Sequence, residues 1–158
     1  MKVRGLILGI SCFFHDSAVC LLGLDGSILA AAQEERFTRV KHDPVFPVHA
    51  INYCLQHAGI EEEDIGSIVF YEDQDLALDR VSDLLLRSPA SEATAAFQEM
   101  CPSWTKNKLD IPRSIQRHLP HFCGEVLAVQ HHQAHAASAL YPSPFEEAAI
   151  LTIDGVGE

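Results

Sequence analysis

The chain has 158 residues, with 11 lysines and arginines against 22 aspartates and glutamates, a formal net charge of −11. That length allows one domain, and so acidic a balance argues against a generic nucleic-acid-binding module or docking on anionic membranes, because phosphate contacts need a basic face. The hydrophobic share of 47% supplies a core and excludes a disordered chain.

No run approaches the roughly 18 apolar residues of a membrane-spanning helix. Lys2 and Arg4 before an apolar stretch resemble a signal peptide superficially. However, His15-Asp16 and a hairpin follow at once, and cleavage at Cys12 would remove the first strand of a sheet. The stretch therefore reads as a buried strand. The five cysteines (Cys12, Cys20, Cys54, Cys101 and Cys123) are odd in number and contain no CxxC pair. They form neither a disulfide framework nor a cysteine zinc site. They read as small buried hydrophobes of a reducing, cytoplasmic compartment.

In chain order, residues 3–10, 17–24 and 28–34 are three strand-like apolar runs. Asp25-Gly26 between the second and third signals a hairpin with a type I′ turn. Residues 34–47 are polar and irregular. Pro47 suits a first helical turn. Val48, Ile51, Leu55 and Ala58 follow at helical spacing, with Gly59 as the stop. Residues 65–71 predict a strand. Ala77, Val81, Leu84 and Leu85 give one helical face; Ala93, Ala96, Phe97 and Met100 give another, with Ser91 as its N-cap. Residues 104–119 are ambiguous, broken by Pro102, Pro112 and Pro120. A strand over 125–130, a helix over 131–141 ending before Pro142, and a strand over 148–153 complete the pattern. The glycine loop Asp154-Gly155-Val156-Gly157-Glu158 then ends the chain. Strands alternating with helices after an initial hairpin predict an α/β domain with a mixed sheet and flanking helices. A strand and glycine loop normally run on into another element, so a longer protein is expected.

Several groups can carry chemistry. His131 and His135 are four apart, on one face of a helix, where two imidazoles can share a metal. Position 132 is His, not Glu, so the general base of an H-E-x-x-H metalloprotease is missing. Asp154, at the end of the following strand, can complete a two-histidine, one-carboxylate set, which suits Fe(II) and can also hold zinc. The bland alternatives are a His-rich helix without metal and an Asp-Gly turn. The glycines let the 154–158 loop approach a phosphate. His15, in the turn after the first strand, can act as acid, base or transition-state stabiliser, or is a plain turn histidine. Arg36, Arg39 and Lys41 can bind an anionic ligand or form a solvated loop.

Four motifs occur in order: Gly9-Ile10 with Phe14-His15-Asp16-Ser17-Ala18; Glu34-Glu35-Arg36-Phe37-Thr38-Arg39-Val40-Lys41-His42; His131-His132-Gln133-Ala134-His135-Ala136-Ala137-Ser138-Ala139; and Asp154-Gly155-Val156-Gly157-Glu158. Together they closely resemble the start of the O-carbamoyltransferases of nodulation-factor and antibiotic biosynthesis, the NodU/CmcH family. The resemblance implies the first half of an actin-like (ribonuclease H-like) ATPase domain, related to the tRNA threonylcarbamoyl transferases. It implies that carbamoyl phosphate and ATP yield carbamoyl-adenylate in a YrdC-like domain. The carbamoyl group then passes to a hydroxyl of a small molecule at an iron site. It puts His131, His135 and Asp154 at metal-ligand positions and His15 at a catalytic one. It puts Lys41, Asp154, Gly155, Val156, Gly157 and Glu158 at nucleotide-contacting positions. It also implies that the remaining metal ligand, the rest of the actin-like domain and the YrdC-like domain lie beyond Glu158, leaving these 158 residues inactive alone. A non-transferring nucleotide-binding actin-like module is the alternative.

Overall fold

A computed structural model describes residues 5–104 and 108–154, with residues 99–103 described by their backbone alone. The chain divides into two compact units, Met1–Phe70 with Ser103–Leu127, and Tyr71–Pro102 with Ala128–Glu158.

The first unit is built on a five-stranded mixed sheet. Its strands are β1 (Leu6–Ser11), β2 (Ala18–Leu22), β3 (Ile28–Gln33), β4 (Ile65–Phe70) and β5 (Glu125–Ala128), in the order β3-β2-β1-β4-β5. β1 and β2 pair antiparallel, with Ile10 opposite Val19, and β2 and β3 continue the hairpin. β1 and β4 run parallel, with Ile10 beside Phe70. A parallel pair needs a crossover. Here it carries the short α1 (Glu35–Thr38) and the longer α2 (Val48–Ala58).

Alternation along the strands decides the core. Leu8, Ile10, Val19, Leu21, Ile65, Ile68 and Phe70 are buried, joined by Ala50, Ile51, Cys54 and Leu55 of α2. Each such large side chain contributes about 1.5–3 kcal/mol by leaving water. α2 ends where expected: Gly59 is left-handed at φ 66°, its N–H bonded to the Gln56 carbonyl, and the Ile60 N–H reaches Leu55. These are the two hydrogen bonds of a Schellman stop. The ambiguous stretch resolves into α5 (Ile111–His118), whose Ile111 and Ile115 are buried. Asp110 caps α5, and Pro112 sits in the first turn, where its missing N–H has no partner to lose. The proline thus starts a helix instead of breaking one.

The second unit contains α3 (Gln74–Arg87), α4 (Ala90–Ser103) and α6 (His131–Leu140). Asp73 caps α3, accepting from the N–H groups of Asp75 and Leu76. Ala77 is its buried contact, while Leu84 is 63% exposed. α4 already begins at Ala90, so Ser91 lies inside the helix and not at its cap.

Three further expectations are corrected. Residues 148–153 form no strand: no described strand pairs with them, and Leu151 and Ile153 are largely exposed. An apolar run becomes a strand only where a neighbour completes its ladder. The hairpin turn is not type I′, because Asp25 is not left-handed and only Gly26 is, at φ 80°. Gly26 N–H bonds to Gly23 and Gly23 N–H to Ser27, so the loop has three residues and ends in a left-handed glycine. Among the cysteines, Cys12 and Cys54 are buried and Cys20 half-buried, but Cys123 is exposed. No helix among the described residues is long and apolar enough to cross a membrane.

Candidate functional site

Two clusters of polar side chains stand out, one in each unit. In the second unit, Gln130 is extended and α6 begins at His131. His131 and His135 therefore occupy successive turns of one face. Their Nε2 atoms are 3.0 Å apart. Asp154 brings Oδ2 to 2.5 Å from His131 Nε2 and 3.4 Å from His135 Nε2. The Tyr71 ring meets the edge of His131 at 5.6 Å between centroids. His131 and Asp154 are mostly enclosed, while His135 is half exposed, so the cluster opens on the His135 side. Asp154 reaches the pair from an irregular segment, not from the strand end anticipated for it. His132 stands outside the cluster, as about 100° of rotation per residue requires.

The donor chemistry fits a metal. Two imidazole nitrogens and one carboxylate oxygen converge within 4.8 Å. That set, with positions left open, suits Fe(II) and accommodates zinc.

In the first unit, the β1–β2 loop and the loop from α1 to α2 are laced together. Phe13 N–H bonds to the Pro44 carbonyl at 2.8 Å, and Ser17 N–H to that of Asp43 at 2.9 Å. The buried Asp43 accepts from Thr38 Oγ1 at 2.7 Å and from Val45 N–H. The non-glycine residues with positive φ in the described chain all lie in these loops: Phe13 (71°), Asp16 (50°), Arg39 (61°) and His42 (56°). Such conformations are uncommon outside glycine and cluster at functional sites.

The product of this backbone is a carboxylate between two imidazoles. Asp16 Oδ2 lies 2.8 Å from His15 Nδ1, and Asp16 Oδ1 lies 2.9 Å from His42 Nδ1. Hydrogen bonding from His42 first, and from His15 second, holds the Asp16 carboxyl below the usual aspartate range. Phe14 tilts over His15 with ring centroids 4.6 Å apart. The buried Lys108 sits 5.6 Å from the Phe14 ring centre and 5.7 Å from that of Trp104.

The structure thus brings His131, His135 and Asp154 together and places His15 in a separate constellation of the first unit. Lys41 lies exposed in the same loop as His42. Gly155, Val156, Gly157 and Glu158 lie outside the described residues. Sequence reasoning missed His42 as a partner of Asp16. It also missed Glu34, a fully buried carboxylate whose Oε2 accepts from Ala50 N–H at 2.8 Å and whose Oε1 meets His49 Nδ1 at 2.6 Å. The absence of any acid or capping side chain at the start of α2 was the available signal for Glu34.

Comparison with known proteins bears out the family resemblance. Residues 6–158 match the family described as carbamoyltransferase N-terminus. An uncharacterised protein of Synechocystis sp. is 44% identical over 96% of this chain and 26% of its own length. Nodulation protein NolNO of Sinorhizobium fredii is 33% identical over 92% of this chain and 20% of its own. An uncharacterised protein of Methanocaldococcus jannaschii is 25% identical over 96% and 31%. The chain spans between a fifth and a third of the length of these relatives. With a match over nearly its whole length, the chain belongs to the carbamoyltransferase N-terminal family.

Proposed function

We propose that this chain is the N-terminal part of a metal-dependent O-carbamoyltransferase of the cytoplasm. In this reading, the carbamoyl group of carbamoyl-adenylate, made from carbamoyl phosphate and ATP, passes to a hydroxyl of a small-molecule natural product or sugar. The observation that carries it is the convergence of His131, His135 and Asp154 in a chain of this family. These three residues would hold Fe(II), or zinc, and a bound divalent metal there supplies Lewis-acid polarisation of the carbamoyl carbonyl.

The chain's own residues supply the rest. His15 accepts the proton of the acceptor hydroxyl as its oxygen bonds to the carbamoyl carbon. The bond from that carbon to the adenylate phosphate oxygen breaks, and AMP leaves. Lys41 and the N–H groups of the 154–158 loop receive the negative charge of the nucleotide. The rest of an actin-like domain and a YrdC-like domain belong to the longer protein.

The test is metal analysis and carbamoyl transfer in the full-length protein with His131→Ala, His135→Ala and His132→Ala. The first two should lose metal and transfer, and the third should keep both. Retention in the first two, or loss in His132→Ala alone, rules the assignment out. ATP binding without carbamoyl transfer in the unaltered protein would instead support a non-transferring nucleotide-binding module.

A further inference from the structure

We propose that Asp16 and His42 are positioning residues for His15: the carboxylate, held between two imidazoles, fixes His15 in the tautomer protonated at Nδ1 and leaves Nε2 to take the proton. The inference rests on His15 acting as the base in the transfer proposed above.

The geometry requires a proton on Nδ1, so the neutral imidazole is this tautomer. An ionised carboxylate only accepts hydrogen bonds, so the imidazole nitrogen facing each oxygen must be the donor. Both contacts are made through Nδ1, and they use different oxygens: Oδ2 for His15 and Oδ1 for His42. His42 therefore does not compete with His15. It pins the carboxylate from the other side and keeps Oδ2 turned toward His15. Among the described residues, His15 Nε2 makes no hydrogen bond, so its lone pair is available.

The backbone points the same way. Asp16 and His42 are 26 residues apart, and both adopt the left-handed conformation. His42 is fixed further by its N–H, which donates to Glu35 Oε2 at 3.2 Å. Stability does not account for this arrangement. The side chains of His15, Asp16 and His42 are 58%, 35% and 60% exposed, and contacts between groups so exposed stabilise a fold little. An oriented imidazole facing outward, held by partners on left-handed backbone, is the arrangement a proton acceptor needs.

The test uses full-length protein labelled with 15N-histidine, with His15→Asn identifying the His15 signals. In the unaltered protein, His15 should carry its proton on Nδ1. Asp16→Asn tolerates the left-handed backbone but presents an amide that can donate to Nδ1, and it should move the proton to Nε2. His42→Asn likewise suits the backbone but lacks the imidazole, and it should give a mixture of tautomers. In parallel, AMP release from ATP and carbamoyl phosphate is followed with glycerol as the probe hydroxyl. Asp16→Asn should lower kcat by about tenfold or more, toward the range lost with a general base, with KM changed less than about twofold. A His15 tautomer unchanged by Asp16→Asn, or protonated at Nε2 from the start, overturns the positioning role. If instead the tautomer shifts as stated while His15→Asn releases AMP at the unaltered rate, the positioning stands and His15 is not the base.

Discussion

Removing the Glu34 side chain should be among the most damaging single changes in the first unit. α2 starts after Pro47, with no capping side chain and no acid in its own first turn. Its first free N–H groups are served from the end of β3 instead. Glu34 Oε2 accepts from Ala50 N–H at 2.8 Å and Oε1 from His49 N–H at 3.2 Å. Glu34 is 1% exposed, so no water replaces what a truncation removes. Hydrogen bonds to a charged group contribute about 1.5–3 kcal/mol each. Glu34→Ala deletes these two backbone bonds as well as the contact to His49 Nδ1; the two unmatched helix-start donors alone give a loss of about 3–6 kcal/mol. Against a total stability of roughly 5–15 kcal/mol for a domain, that is a large fraction. Glu34→Gln keeps the shape and one oxygen but turns an NH2 toward the other donor, for a loss of about 1–2 kcal/mol. His49→Ala removes a largely exposed imidazole and its 2.6 Å contact to Glu34 Oε1 but keeps both backbone bonds, and should cost about 1–2 kcal/mol. Urea unfolding followed by circular dichroism measures all three, with midpoints shifting at constant slope. A Glu34→Ala loss under about 1 kcal/mol, or equal losses for Ala and Gln, would refute capping from a distance.

Asp16 should titrate below the ordinary aspartate value of about 3.9, because His42 and then His15 bond to its charged form. Its stabilising contribution is therefore complete above that ordinary value and lost as pH falls through the lowered one; carboxyl 13C NMR should show His42→Asn raising the midpoint. At neutral pH, and among the cysteines whose side chains are described, alkylation should reach the exposed Cys123 first. The thiols of Cys20 and Cys54, pushed up by burial, should react slowly, as should the buried Cys12, and mass spectrometry orders the sites. Gly124→Ala should cost about 1–3 kcal/mol by overpacking, since a Cβ there would lie 2.2 Å from the Gly66 carbonyl oxygen; an unchanged urea midpoint would contradict this.

The elements that periodicity revealed are those whose burial repeats along one stretch of chain. α2 was legible because Ile51, Cys54 and Leu55 face one core and Gly59 stops it. β1 and β4 were legible because both are short and mostly apolar, with Ser11 and Ser67 their only hydroxyl side chains. The failures mark the limits of that signal. Residues 148–153 have the composition of a strand, but strand identity is settled by a partner, and no local pattern names one. Pro112 looked like a breaker because a proline inside a helix and a proline in its first turn differ only in what precedes them. Here Asp110 decides the matter, its carboxylate accepting from Arg113 N–H.

The two polar clusters were legible to different degrees for the same reason. His131 and His135 are four residues apart, so a helical reading alone puts them side by side, and only the arrival of Asp154 needed the fold. The Asp16 cluster is non-local. Nothing in the spacing of His15, Asp16 and His42 links them, because the link runs through backbone hydrogen bonds from Phe13 and Ser17 to Pro44 and Asp43. Those bonds hold both loops where four side chains must accept positive φ. Glycine would relieve the strain at Phe13 and Arg39, whereas Asp and His enter this region more readily than most residues. Unusual backbone of this kind clusters at functional sites, where it serves to place side chains. For Asp16 and His42 those side chains meet on His15. The strained loop is therefore better explained by the orientation of that imidazole than by anything it contributes to the core.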